Sequence, residues 1–112
     1  MKVNVREERG VAILDLQGRL TIGSAELFLR DAVHNVLNAG ENKILINMAG
    51  VTNADSSGIG ALVSSHTYVS DRGGQLKLEN LRPAINELLH ITQLITVFEV
   101  YDSESDAIES FR

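Results

Sequence analysis

Apolar and polar positions along the chain switch between a period of two and a period near three and a half, and the switches mark its strands and helices. Val3 and Val5 alternate with polar residues, Glu8-Arg9-Gly10 makes a turn, and Val11-Ala12-Ile13-Leu14-Asp15-Leu16 reads as a buried strand. An antiparallel hairpin therefore opens the fold. From Ala25 the apolar residues fall at Phe28, Leu29, Ala32, Val33, Val36 and Leu37, the spacing of one helix face, with Ser24 placed as N-cap and Gly40 just past the end. Lys43 to Met48 is a short apolar run bounded by turn residues, as expected of a central strand covered on both faces, and a loop from Ala49 to Ala54 follows.

The second helix is expected to start within Asp55 to Ser57. It turns Ile59, Leu62, Val63, His66 and Val69 inward until Gly73-Gly74 stops it. Gln75 to Glu79 alternates again and is a strand. Pro83 suits the first turn of a third helix with Ile85, Leu88 and Leu89 inside, capped either by Arg82, a poor cap, or by Asn80. Val97 to Tyr101 supplies a last strand. Ser103, with Asp106 three positions on, resembles a weakened capping box for a final short helix burying Ala107, Ile108 and Phe111. The order β-β-α-β-α-β-α-β-α predicts an α/β fold: one domain over residues 1–112, with a mixed, mostly parallel five-stranded sheet, an N-terminal antiparallel hairpin and four helices.

Composition narrows the function more than the fold. An apolar share of 44% and a charged share of 22% are those of a chain folded throughout. Net charge is −5 and Lys and Arg are scattered, so the basic stripe that nucleic acid or an anionic membrane would require is missing. There is no cysteine, which excludes disulfides, thiolate nucleophiles and cysteine-based zinc sites. The first residues turn polar at once, unlike a signal peptide, and no apolar run approaches the roughly 20 residues of a membrane span, so a soluble cytoplasmic protein is expected.

Catalytic and cofactor chemistry find little to stand on. His34, His66 and His90 are too far apart in sequence for a helix-borne metal pair, and each suits an ordinary helix-surface or core-edge position. Asp55-Ser56-Ser57-Gly58 lacks the glycine two positions before either serine that a nucleophile elbow needs. Gly58-Ile59-Gly60 starts like a dinucleotide fingerprint but reaches Val63 where the third glycine belongs, and no phosphate-binding loop with Gly-Lys-Ser/Thr occurs. No catalytic residue, metal site or cofactor is expected. The segment Asn53 to Gly60 remains, because it follows a central strand and starts a helix, where open α/β sheets bind their ligands. Its residues also have a purely structural reading: Asp and Ser are preferred N-caps, and the glycines could allow close helix packing.

Val51-Thr52-Asn53-Ala54-Asp55-Ser56-Ser57-Gly58-Ile59-Gly60-Ala61-Leu62 resembles the signature of STAS domains, in particular the bacterial anti-sigma factor antagonists. Gly18-Arg19-Leu20, Gly73 to Leu78 and Leu88 to Leu94 are similar to further landmarks of that family, in the same order. The resemblance implies a phospho-switched protein-binding module with Ser56 as the phosphorylated residue. In the unmodified state it would bind an anti-sigma factor serine kinase and free a sigma factor, and a phosphatase would remove the phosphoryl group. It further implies that Asp55 shapes the loop, that Ser57 is a neighbouring hydroxyl, and that Gly58 and Gly60 leave room for the partner. By the same resemblance Thr21 would stand on the surface the family presents to its kinase, at a position where antagonists usually have an aspartate. STAS domains that act as scaffolds in signalling assemblies or accessory subunits of transport systems, without serine phosphorylation, are the alternative.

Overall fold

The computed structural model describes residues 1–111, apart from the side chains at positions 24 and 25. Five strands lie in the sheet in chain order: β1 (Lys2–Glu8), β2 (Val11–Leu20), β3 (Lys43–Ala54), β4 (Gln75–Glu79) and β5 (Val100–Tyr101). The β1–β2 pair is antiparallel and the other three pairings are parallel. The connecting helices are α1 (Ser24–Asn38), α2 (Ser56–Asp71) and α3 (Pro83–Ile91), and α4 (Glu104–Ser110) closes the chain.

Alternation along the strands sorts their side chains to two faces. Leu14, Leu16, Ile44, Ile46, Met48, Leu76 and Leu78 point to the layer of α1, α2 and α3, where Leu29, Val33, Leu62, Val69, Ile85 and Leu89 meet them. Val11, Ile13 and Leu45 point to the opposite face and are covered by Ala107, Ile108 and Phe111 at α4. Two covered faces are why Val11–Leu14 and Ile44–Ile46 are apolar without interruption. Gly40 takes φ 97° just past α1, and Glu41 N–H returns to Val36 O at 3.0 Å, a Schellman closure.

Several boundaries differ from the sequence reading. β2 continues to Leu20 and β3 to Ala54, so the loop expected at Ala49–Ala54 is strand: Gly50, Val51, Asn53 and Ala54 pair with Gln17 to Leu20. The extension carries small and polar residues and two register irregularities, which erase the period-two signal. At the other edge β5 keeps only Val100 and Tyr101, since Leu94–Thr96 forms a 3₁₀ turn and Phe98 is buried in the core. Gly23 occupies the N-cap of α1, and the side chain of Ser24, expected to cap it, lies outside the described residues. Arg82 occupies the N-cap of α3 without a side-chain cap bond. Asn80, the other expected cap, takes φ 59° and donates to Asn47 Oδ1 at 3.1 Å instead. On α2, Val63 and His66 are half-buried, and Ala61 and Ser65 complete the inward face.

Two features fix the frame. Gly58, in the first turn of α2, presses on the end of β2: a Cβ built there would lie 1.8 Å from Leu20 O. Gly60, one residue past Ile59, faces open space. On the opposite face, α4 is held by charge. Arg6 donates to Asp15 at 2.7 Å and to Glu104, the first residue of α4, at 2.9 Å. Lys77, buried beneath, donates to Ser110 O and Oγ at 3.0 and 2.9 Å. Between them Glu79 is fully buried; its Oε1 accepts from Asn80 Nδ2 at 3.3 Å, while Oε2 finds no donor among the described residues. Burial, and then the neighbouring Glu104 carboxylate, push Glu79 up to about 8. Glu104 is held below its ordinary value, chiefly by Arg6.

Gly58→Ala should cost at least about 3 kcal/mol in urea unfolding, because neither helix nor strand backbone can yield, whereas Gly60→Ala should be neutral or stabilise by up to about 1 kcal/mol. Glu79 gives a pH signature. From its ordinary 4.5 to about 8 the folded state keeps a proton that the unfolded state has lost, so Glu79 makes stability decline as pH rises through that window and no further above it. Glu79→Gln, which keeps an N–H donor in place of the acid's O–H, should match the wild type at about pH 5 and be the more stable protein at about pH 9. Equal pH slopes for the two proteins would show that Glu79 carries no buried proton.

Candidate functional site

Parallel strands end beside helix starts, and at that end of the sheet the loop after β2 meets the start of α2. Asp55 joins them. Its Oδ1 accepts from Gly58 N–H at 2.9 Å, the N-cap bond of α2, and its Oδ2 accepts from Ile22 N–H at 3.0 Å across the gap to the loop. Its own N–H donates to Leu20 O at 3.2 Å, and its carbonyl accepts from Ile59 N–H at 3.0 Å. The bonds from Gly58 and then Ile22 hold the Asp55 carboxyl below its ordinary value.

Ser56 is the first residue of α2, is exposed, and its hydroxyl makes no hydrogen bond among the described residues. Ser57 is half-buried. The two expected site serines are thus unequal, with Ser56 the accessible one. Thr21, half-buried, lies in the β2–α1 connection beside Ile22, so the Asp55 bridge brings it to the same end as Ser56. Gly58 is buried against Leu20, and its glycine is required by the fold itself; Gly60 is exposed, with space over it.

Apolar surface surrounds this point. A recess of about 240 Å³ opens next to Ser56, lined by Ala54, Ile59 and Gly60 from one side and Leu88, Thr92 and Leu94 from the other. Ile22 is 76% exposed and Ile91, at the end of α3, 72%. Leu27 and Phe28, on the first turns of α1, are also exposed. Of these, only Ala54, Ile59 and Gly60 fall in the segment that the sequence marks as a candidate site. Phe28 was placed on the inner face of α1, and Ile91 and Leu94 stood only as landmarks. The one readable signal was the run Leu27-Phe28-Leu29, since three consecutive apolar residues span about 200° of a helix, more than its buried stripe takes in.

Enzyme chemistry gains no constellation. Gly58 and Gly60 lie inside α2, and the Gly58 N–H is committed to Asp55, so the segment is not an open phosphate cradle. His34 stacks on Tyr68, His66 meets Phe98 edge-on, and His90 sits at the end of α3. Among the described residues no three His, Cys, Asp or Glu side chains gather as metal ligands would, and no helix is long and apolar enough to cross a membrane.

Comparison with known proteins agrees with this geometry. Residues 2–107 match the family profile described as STAS domain. A candidate anti-sigma factor antagonist of Thermotoga neapolitana is 34% identical over 99 residues, covering 88% of each chain. The crystal structure of a candidate anti-sigma factor antagonist from Thermotoga maritima superposes with a TM-score of 0.89 at 29% identity, over 98% of this chain and 94% of that one. The Bacillus cell fate determinant SpoIIAA in its phosphorylated form, 20% identical, has the same fold, with a TM-score of 0.74 over 99% of this chain and 100% of that one.

An NMR pH titration tests the Asp55 bridge. Asp55 should titrate below its ordinary 3.8, and the Ile22 and Gly58 amides should shift with the same midpoint. Since the folded value is depressed, the bridge is at full strength above 3.8 and is lost as pH falls through the lowered value. An Ile22 amide indifferent to that titration would mean the loop is not held by Asp55.

Proposed function

The chain belongs to the STAS domain family and to the anti-sigma factor antagonists within it, and from that premise we propose a switch at Ser56. Unphosphorylated, the end of the sheet around Ser56 docks on an anti-sigma factor that is also a serine kinase, and the sigma factor held by that protein is released. Phosphorylation of Ser56 ends the docking, and a phosphatase restores it. The carrying observation is Ser56 itself: an exposed, unbonded hydroxyl at a helix start, set among apolar groups a partner would cover.

The physics supports a change of affinity without a change of fold. A phosphoryl group brings roughly −1.5 to −2 charge. The helix start accepts negative charge with a gain of about 0.3 to 1 kcal/mol, so α2 is not undone by it. A partner covering Ile22, Ile91 and the recess would have to desolvate that charge beside the Asp55 carboxylate, and binding is lost on that account. Regulation in this reading belongs to binding rather than to stability. Thr21, where an aspartate is usual in antagonists, removes one negative charge from the docking face and so bears on which kinase is recognised.

Four proteins suffice for the test: wild type, Ser56→Ala, Ser56→Asp and Ser57→Ala, incubated with the host's candidate kinases and ATP and read by intact mass. Wild type and Ser57→Ala should gain one phosphoryl group and Ser56→Ala none. By calorimetric titration Ser56→Ala should bind the kinase like the unmodified protein and Ser56→Asp at least about tenfold more weakly, with unfolding free energies within about 1 to 2 kcal/mol of wild type. Labelling of Ser56→Ala with loss at Ser57→Ala would move the site to Ser57. No labelling by any host kinase would leave the alternative, a constitutive scaffold or accessory subunit.

A further inference from the structure

We propose that the cleft between α1 and α2 is a binding site for a small oxyanion, inorganic phosphate or the phosphate group of a small ester. Arg30 and His34 of α1 face Ser64, Ser65 and Tyr68 of α2 around a cavity of about 260 Å³. The size excludes a drug-sized ligand, whose pockets begin at about 300 Å³, and suits a compact group. Ser65 is 5% exposed and its hydroxyl makes no hydrogen bond among the described residues, so it is free to meet a guest. That unbonded hydroxyl lines the cavity.

The other lining groups share one chemical character. Arg30 supplies a guanidinium, His34 an imidazole N–H, and Ser64 a second hydroxyl, and no carboxylate lines the space. The nearest acid, Glu26, reaches Arg30 from outside the lining, so donors dominate the space itself and favour an anion, and a guanidinium suits the paired oxygens of a phosphate. The walls are already placed. His34 stacks on the Tyr68 ring at 3.9 Å, and Arg72 packs on the same ring at 3.4 Å while donating to Tyr68 O at 3.2 Å. Among the described residues Arg30 is held only by Glu26 four residues away at 3.3 Å, an exposed pair worth about 0.3 to 0.5 kcal/mol, so it can turn to an anion at small cost.

The larger recess on the other side of the sheet, about 570 Å³, lacks this imbalance, because Arg6 pairs with Asp15 and Asn47 donates to the same carboxylate. The site is independent of the Ser56 switch: its residues belong to the middle of α1 and α2 and not to their starts.

The test is an NMR titration of the full chain with sodium phosphate against sodium chloride at matched ionic strength, since phosphate stabilises most proteins unspecifically and a melting temperature would mislead. Saturable shifts should centre on the amides of Arg30, His34, Ser64, Ser65 and Tyr68. Arg30→Gln should weaken them about tenfold, and Ser65→Ala should weaken them while leaving the rest of the spectrum in place. A parallel titration with glycerol 2-phosphate tells whether the site admits an ester or only the free ion. Shifts that never saturate, shifts centred on Asp55 to Gly58, or an affinity unchanged in Arg30→Gln would each overturn the proposal.

Discussion

The contact between Gly58 and the Leu20 carbonyl sets the distance between α2 and the end of β2, and the end of the molecule that carries Ser56 is built on that distance. With any side chain at 58 the helix would stand off the strand. Asp55 could then no longer reach both the Gly58 N–H behind it and the Ile22 N–H across the gap, since a carboxylate spans only a few ångströms. The close approach turns two separate segments into one surface. It is also why the glycine and the aspartate occur as neighbours: one permits the approach and the other uses it.

That arrangement leaves Ser56 in an unusual position for a residue so near a helix cap. The cap is already made by Asp55, so the serine hydroxyl has no structural duty and stays exposed. A serine that capped the helix would lose that bond on modification and strain the fold. Here the residue before it carries the fold, and Ser56 is left free for chemistry.

Much of this was legible in sequence because strong periodicity and covalent preference agree. The inner face of α1 through Leu29, Val33 and Val36, the buried run of β2, the stop before Gly73-Gly74, and the Ser103 cap of α4, bonded to Asp106 N–H at 3.4 Å, all appear where the pattern put them. The misses share a cause. The end of β3 and the short β5 depend on what a distant segment offers: the extra length of β2 and the pocket that takes Phe98. At the site, Asp55 and Ser56 could be found because they lie together in the chain. Ile22 and Ile91 could not, because they meet the site only through the fold and their exposure has no sequence signature.

The two faces of the sheet handle charge in opposite ways, and this separates stability from binding. On the α4 face, charges are drawn inward: Arg6 spans Asp15 and Glu104, Lys77 is held by Ser110, and buried Glu79 keeps its proton up to about 8 rather than remain an unpaired anion. Breaking one partner of such a set strands the others, so this face tolerates little change. Around Ser56 the engaged charge among the described residues is Asp55, half-buried at the helix start, with open apolar surface beside it at Ile22, Ile91 and the recess. Under the proposed switch, a phosphoryl group on Ser56 would meet solvent in the free protein and an apolar partner in the complex. The same group would therefore be cheap in one state and costly in the other, which is the asymmetry a reversible binding switch requires.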